Sequence, residues 1–302
     1  MSGVMGGNVW VFHSGALGDH VMIWPLVRAL ARQGARVTVV GASSHVALCE
    51  REVRRSVGVG TGSVVGMSVE RARYTGMWAG RVEEKDVERG VDVVMTFVAD
   101  EESEAGRVWK SAAREMFPGA RVMCVGVPGS VSRRAVWEWA RVAEFGAVEL
   151  NENDGGPVVL FVGAGGESKR WPMDRWLELA RRLSGWTRVQ LLAGTVEMER
   201  LSTGERVLFE RADGKYVGAA GGAEELAEAI RTARLYVGCD TGPTHLAAQL
   251  GVRTVTLFGP TDAEVWRAVG ARVDVIAPES PRAMGWLDVE CLVERVRGQL
   301  AQ

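Results

Sequence analysis

What this 302-residue sequence lacks narrows its function before any motif is read. No run approaches the ~20 apolar residues needed to cross a bilayer. The opening "MSGVMGGNVWVFHSG" has neither the charged leader nor the long apolar stretch of an export signal, so a soluble protein, at most peripheral to a membrane, is expected. Cysteine is sparse: Cys49, Cys124, Cys239 and Cys291 form no CxxC pair and no Cys/His ligand spacing. They read as reduced, buried thiols of a cytoplasmic protein. With no ligand set of that kind and no Asp-x-Asp at a strand end, neither a metal nor a resident cofactor is expected. Excess charge of one sign is also missing, and a net charge of −2 argues against bulk nucleic-acid binding. Short-period repeats and low-complexity tracts are absent too.

What is present is ordinary globular usage, 47% hydrophobic and 25% charged, enough for a sizeable core in one large domain or two modest ones. One opening occurs twice. Val9-Trp10-Val11-Phe12 is followed by Gly15, by a helical stripe through Val21, Trp24, Leu26, Val27, Leu30 and Ala31, and by a second strand from Arg36 to Val40. Near the middle, Val158 to Val162 leads into glycines Gly163 to Gly166, a helix from Asp174 to Leu183 and a strand from Val189 to Leu192. Further apolar runs at Val91–Met95, Val122–Val125, Leu235–Val237, Thr254–Phe258 and Val273–Ile276 predict an α/β protein of two doubly wound parallel sheets. The polar seam "NENDGGP" puts the division at residues 1–150 and 151–302. A last helix, about Leu287 to Leu300, is open to crossing back to the first domain. Ligands of such sheets bind beyond the carboxyl ends of the strands, so two facing domains would make a cleft.

Three stretches carry chemistry. "HSGALGDH", His13 to His20, sets Asp19 where a strand hands over to a helix, as a proton acceptor or as a helix cap. "GAGGESKRWP" fails as a dinucleotide fingerprint, because Ser168 stands where a third glycine is required and the following strand ends in Gly194-Thr195 rather than an acid. Ser168 and Lys169 suit phosphate oxygens, or form a solvated loop. "VGCDTGPTHLAAQLGVRTVTLFGPTD", Val237 to Asp262, runs a strand into Asp240, Thr241, Gly242 and Pro243 at a helix start, with His245 in the first turn. That is an anion site, or a capped helix with a structural histidine. Arg51, Arg54, Arg55, Arg71, Arg73 and Arg81 form a basic stretch ahead of the acidic stretch Glu83 to Glu104. It could hold a phosphorylated, membrane-borne glycolipid, or be a solvated face balancing its neighbour.

Taken in order, "GALGDH…WP", "SKRWP", "CDTGPTHLAAQLG" and "LFGPTD" closely resemble glycosyltransferase family 9, the ADP-heptose:lipopolysaccharide heptosyltransferases. The resemblance spans Phe12 to Asp262. It implies the GT-B fold, two Rossmann-like domains facing across a cleft, with the acceptor on the first and the donor on the second. It also implies inverting, metal-independent transfer of a sugar, heptose above all, from an ADP-sugar to a lipopolysaccharide-core or related glycan. By the same resemblance Gly18 and Asp19 match the family's Gly-Asp motif, with Asp19 as base. Lys169 matches the family's phosphate-binding lysine, and Asp240, Thr241, Gly242 and His245 its donor block. Glu197, or alternatively Glu199, would bind the donor's ribose. The implied partners are a nucleotide-sugar and a glycolipid or glycan acceptor, at the inner face of the cytoplasmic membrane or free in the cytoplasm. Two departures stand out: the first half is short, and His20 occupies a place more often apolar. The rivals are a GT-B transferase or epimerase using another nucleotide-sugar, and a non-catalytic sugar-nucleotide-binding scaffold.

Overall fold

The computed structural model describes residues 6–58, 61–97, 100, 102–126, 148–218 and 222–302. Glu101 of the acidic stretch lies outside them. The chain divides into two compact units, Met1–Ala147 and Val148–Gln302.

The first unit is a parallel sheet of β1 (Asn8–Phe12), β2 (Arg36–Gly41), β3 (Ser63–Ser68), β4 (Val93–Thr96) and β5 (Arg121–Cys124), in the order β3-β2-β1-β4-β5. Its central strand reads as an unbroken apolar run because both faces are covered: Val9 and Val11 are fully buried, and Val9 lies in register with Val37 on one side and Val93 on the other. The helical stripe after β1 is two helices rather than one, α1 (Leu17–Met22) and α2 (Trp24–Arg32). Pro25 sits in the first turn of α2, where a missing N–H costs least and ends the preceding helix. Among the described residues the unit also holds helices α3 (Ser43–Ser56), α4 (Ala72–Trp78) and α5 (Glu104–Met116), and an aromatic core forms where Phe12 meets Trp109 edge-on at 5.4 Å.

The second unit orders its strands β11-β10-β9-β6-β7-β8, all parallel. They are β6 (Val158–Phe161), β7 (Val189–Gly194), β8 (Lys215–Val217), β9 (Leu235–Cys239), β10 (Thr254–Leu257) and β11 (Val273–Ile276). The helices are α6 (Met173–Leu183), α7 (Thr195–Arg200), α8 (Thr203–Arg211), α9 (Gly222–Arg231), α10 (Gly242–Gln249), α11 (Ala263–Trp266) and α12 (Val289–Leu300). The closing helix, open on sequence alone to crossing back, packs against α6 of its own unit, and Arg234 and Arg253 donate to the carbonyls of Leu300 and Gln299 at its end.

In each sheet the strand order reverses at one place, between β1 and β4 and between β6 and β9. The loops leaving β1, β6 and β9 are therefore the ones that open at switch points. They lead to Asp19, in the first turn of α1, and carry Lys169 and Asp240. Cys49, Cys124 and Cys239 are buried and outside any disulfide; Cys291, expected to be buried with them, is exposed, because it sits in the first turn of α12 with its N–H on the capping Asp288 carboxylate. Among the described residues, no helix is long and apolar enough to cross a membrane.

Candidate functional site

The second unit gathers four side chains that follow three of its strands, β6, β9 and β10. Lys169 closes a short 3-10 turn, Glu167–Lys169, in the loop after β6, and its flanking residues are anchored. Arg170 donates to Glu205 at 2.7 Å, and buried Trp171 donates its indole N–H to the Leu287 carbonyl and meets Trp176 edge-on at 4.9 Å. Lys169 is thereby presented rather than packed: its side chain remains 31% exposed while its Nζ lies 2.8 Å from Asp240 Oδ2. Asp240 is only 5% exposed and takes a second hydrogen bond on Oδ2 from the Thr261 hydroxyl at 2.8 Å, while Oδ1 faces His245 Nε2 at 3.6 Å. Burial alone would raise the Asp240 carboxyl; His245 and then Lys169 outweigh it and hold it below the usual carboxylate range.

The start of α10 stands beside this cluster. Thr241 is its N-cap residue but makes no side-chain cap; its hydroxyl faces that of Thr244 at 3.3 Å, and Thr244 donates to the Cys239 carbonyl at 2.6 Å. The helix thus keeps the Gly242 amide and its positive end uncapped by a side chain, with Pro243 supplying no N–H of its own. An ammonium group has three donors, and Asp240 engages one. The arrangement suits a polyvalent anion bridging Lys169 and the helix start. The Trp266 ring, 6.0 Å from Lys169 Nζ, adds an electron-rich face to the same side chain.

Glu197 reaches the mouth of β6 from α7. A Cβ built on Gly163, whose φ is +109°, would fall 2.7 Å from Glu197 Cγ, so only glycine fits both the left-handed backbone and the contact. Burial pushes the Glu197 carboxyl up, opposed by hydrogen bonds from its own N–H and that of Gly194 and by nearby Arg200. It is a carboxylate folded back over its own helix start at the end of the strand next to β6, whereas Glu199 is exposed. Ser168 is exposed beside Lys169.

Gly18 and Asp19 belong to the first unit, half-buried in the first turn of α1, and Asp19 makes no capping bond there. Its carboxylate lies against Gly15: a Cβ on that glycine would stand 3.1 Å from Asp19 Oδ2 and 2.6 Å from His13 Cε1. The Gly15 N–H donates to His13 Nδ1 at 3.0 Å, so that nitrogen carries no proton. His20 is fully buried and accepts from the Trp24 indole at 3.3 Å. Burial, followed by His13 and His45, holds its pKa well below the ordinary value, so the ring is neutral and can occupy a place otherwise apolar.

Sequence reasoning singled out Asp240, Lys169 and His245, and the structure brings these together. It missed Thr261, although "LFGPTD" contains it, and it missed Trp266. It also left the basic stretch open. Within that stretch Arg51 and Arg55 pair with Glu52, Arg54 with Glu50, and Arg73 with Glu88 at 2.5 Å. Most of its charge is spent locally.

The family described as Glycosyltransferase family 9 (heptosyltransferase) matches residues 132–291. Lipopolysaccharide heptosyltransferase 1 of Pseudomonas aeruginosa is 38% identical over 120 residues, 38% of this chain and 32% of that protein; the match thus spans about a third of the relative's length. Among solved structures, a glycosyl transferase family 9 protein of Veillonella parvula superposes with a TM-score of 0.66 at 14% identity, covering 98% of this chain and 97% of that one. The ADP-heptose lps heptosyltransferase II of E. coli gives 0.63 at 17%, covering 98% and 99%. The expected GT-B class, two parallel α/β sheets, is the fold these structures share with this chain.

Proposed function

This chain belongs to glycosyltransferase family 9, and from that premise we propose that it transfers a sugar, heptose by preference, from an ADP-sugar to a lipopolysaccharide-core or related glycan. The observation that carries the reading is the Lys169–Asp240–His245–Thr261 cluster at the start of α10, on the switch point of the second sheet. When the bond from the anomeric carbon to the diphosphate breaks, its electron pair leaves with the phosphate oxygen. Lys169 and the Gly242 amide would meet that growing charge, and Asp240 would keep the ammonium charged and aimed. Ser168 supplies a hydroxyl to the same phosphates, and Glu197 the ribose contact.

Asp19 takes the other half of the reaction. The acceptor hydroxyl attacks the anomeric carbon from the side opposite the leaving diphosphate, its proton passes to the Asp19 carboxylate, and one displacement inverts the anomeric centre. No step in this scheme draws on a metal ion. The reading places the protein in the cytoplasm, in peripheral contact with the membrane where the acceptor is a glycolipid.

Titrating ADP into wild type and Lys169→Ala tests the donor assignment. A charge-assisted phosphate contact predicts a loss of roughly 1.5–3 kcal/mol of binding in the variant. Equal affinities in two folded proteins would contradict it.

A further inference from the structure

The first unit carries an open pocket of about 400 Å³ lined by Ser14, Val69, Glu70, Thr75 and Trp78. Resting on the transferase reading above, we infer that this pocket receives an uncharged glycosyl unit of the acceptor and that Glu70 selects it against acidic sugars. Ser14 directly precedes Gly15, the glycine against which the Asp19 carboxylate lies, so the pocket opens on the loop that holds the base. The other lining residues follow β3 or lie on α4, at the carboxyl end of the same sheet.

The lining has the chemistry of a sugar site. Trp78 gives a large apolar face and is backed by fully buried Trp109, with ring centroids 6.1 Å apart, so it is held as a platform for the C–H face of a pyranose. Glu70 is held by a relay: Ser43 donates to Ser68 Oγ at 2.9 Å, Ser68 to Glu70 Oε2 at 3.4 Å, and the Glu70 N–H returns to Ser68 Oγ at 3.2 Å. A carboxylate fixed on one oxygen offers the other to sugar hydroxyls and repels a sugar carboxylate. Among the described residues no arginine lines the pocket to reverse that preference: Arg51, Arg54, Arg55 and Arg73 are engaged by Glu50, Glu52 and Glu88, and Arg71 and Arg81 are exposed outside the lining.

Saturation-transfer NMR on the full chain with methyl α-D-glucopyranoside and its matched uronic acid, methyl α-D-glucopyranosiduronate, tests this, with ADP binding measured on the same samples. Wild type should favour the neutral glycoside by about fivefold or more, the effect of one like-charge contact near a wet surface. Glu70→Gln should abolish the preference by admitting the uronate, and Trp78→Ala should lose both ligands, each with ADP affinity unchanged. No neutral-glycoside signal, a wild-type preference for the uronate, or a preference that survives Glu70→Gln would overturn the inference while intact ADP binding left the transferase reading standing. Failure of folded wild type to bind ADP would instead remove that reading, and the pocket's role as acceptor site with it.

Discussion

Lys169 and Arg170 are adjacent, equally charged and differently used. Arg170 is committed to Glu205, and Lys169 is held partly exposed by a buried carboxylate that Thr261 and His245 also flank. The Asp240 carboxylate is the keystone, and Thr261 is the member of its shell whose removal leaves the charges in place. Thr261→Val should destabilise the fold by roughly 1.5–3 kcal/mol, the cost of a hydrogen bond lost from a buried charged group. It should also weaken ADP binding by less than Lys169→Ala does. Denaturant melts beside an ADP titration check both, and a neutral Thr261→Val would detach it from the site. His20 supplies a pH signature. Its folded pKa lies below the ordinary 6.5, so beneath that pH the unfolded chain takes a proton the folded chain refuses, and stability is lost as pH falls through the unfolded value. Half-buried His45 acts in the same direction. The melting temperature should therefore fall between about pH 7 and about pH 5, less steeply in His20→Leu; an unchanged slope in that variant would refute the assignment.

The loops after β1, β6 and β9 work because the elements around them are fixed. Trp171 ties the Lys169 loop to the segment before α12, so Trp171→Ala should cost about 3–5 kcal/mol of stability and ADP affinity with it, whereas Trp171→Phe should retain most of the packing. Equilibrium unfolding of the two variants distinguishes anchoring from mere burial. These elements were also the legible ones. β6, β9 and, after Asn8, β1 are runs of buried residues because both faces are covered, and each leads to glycine or a cap residue. β3, "SVVGMS", and β8, "KYV", lie at sheet edges, where small, polar and exposed residues leave no apolar run to read. The break between α1 and α2 was signalled by Pro25 but hidden under a continuous apolar stripe. Site residues within motifs could be named from the sequence, but the contacts of Thr261 and Trp266 could not, since tertiary folding alone brings them to Asp240 and Lys169.

At the scale of the molecule, the two units repeat one plan, and in the proposed reaction they divide the work, the second supplying the anion-binding helix start and the first the carboxylate and the sugar pocket. The repeat was readable because both halves begin with the same strand, glycine loop and helix. The polar seam at Asn151–Pro157 lies a few residues beyond the division between the compact units at Ala147 and Val148. That division of labour makes a separable prediction: a change at Asp19 should leave nucleotide binding alone, because Lys169 and Asp240 are built entirely within the other unit. The most direct test is single-turnover transfer of heptose from ADP-heptose by Asp19→Asn, with ADP affinity and melting temperature measured on the same protein. Transfer should fall by a factor on the order of 10²–10⁴, with binding and folding nearly intact. Transfer at close to the wild-type rate would contradict it.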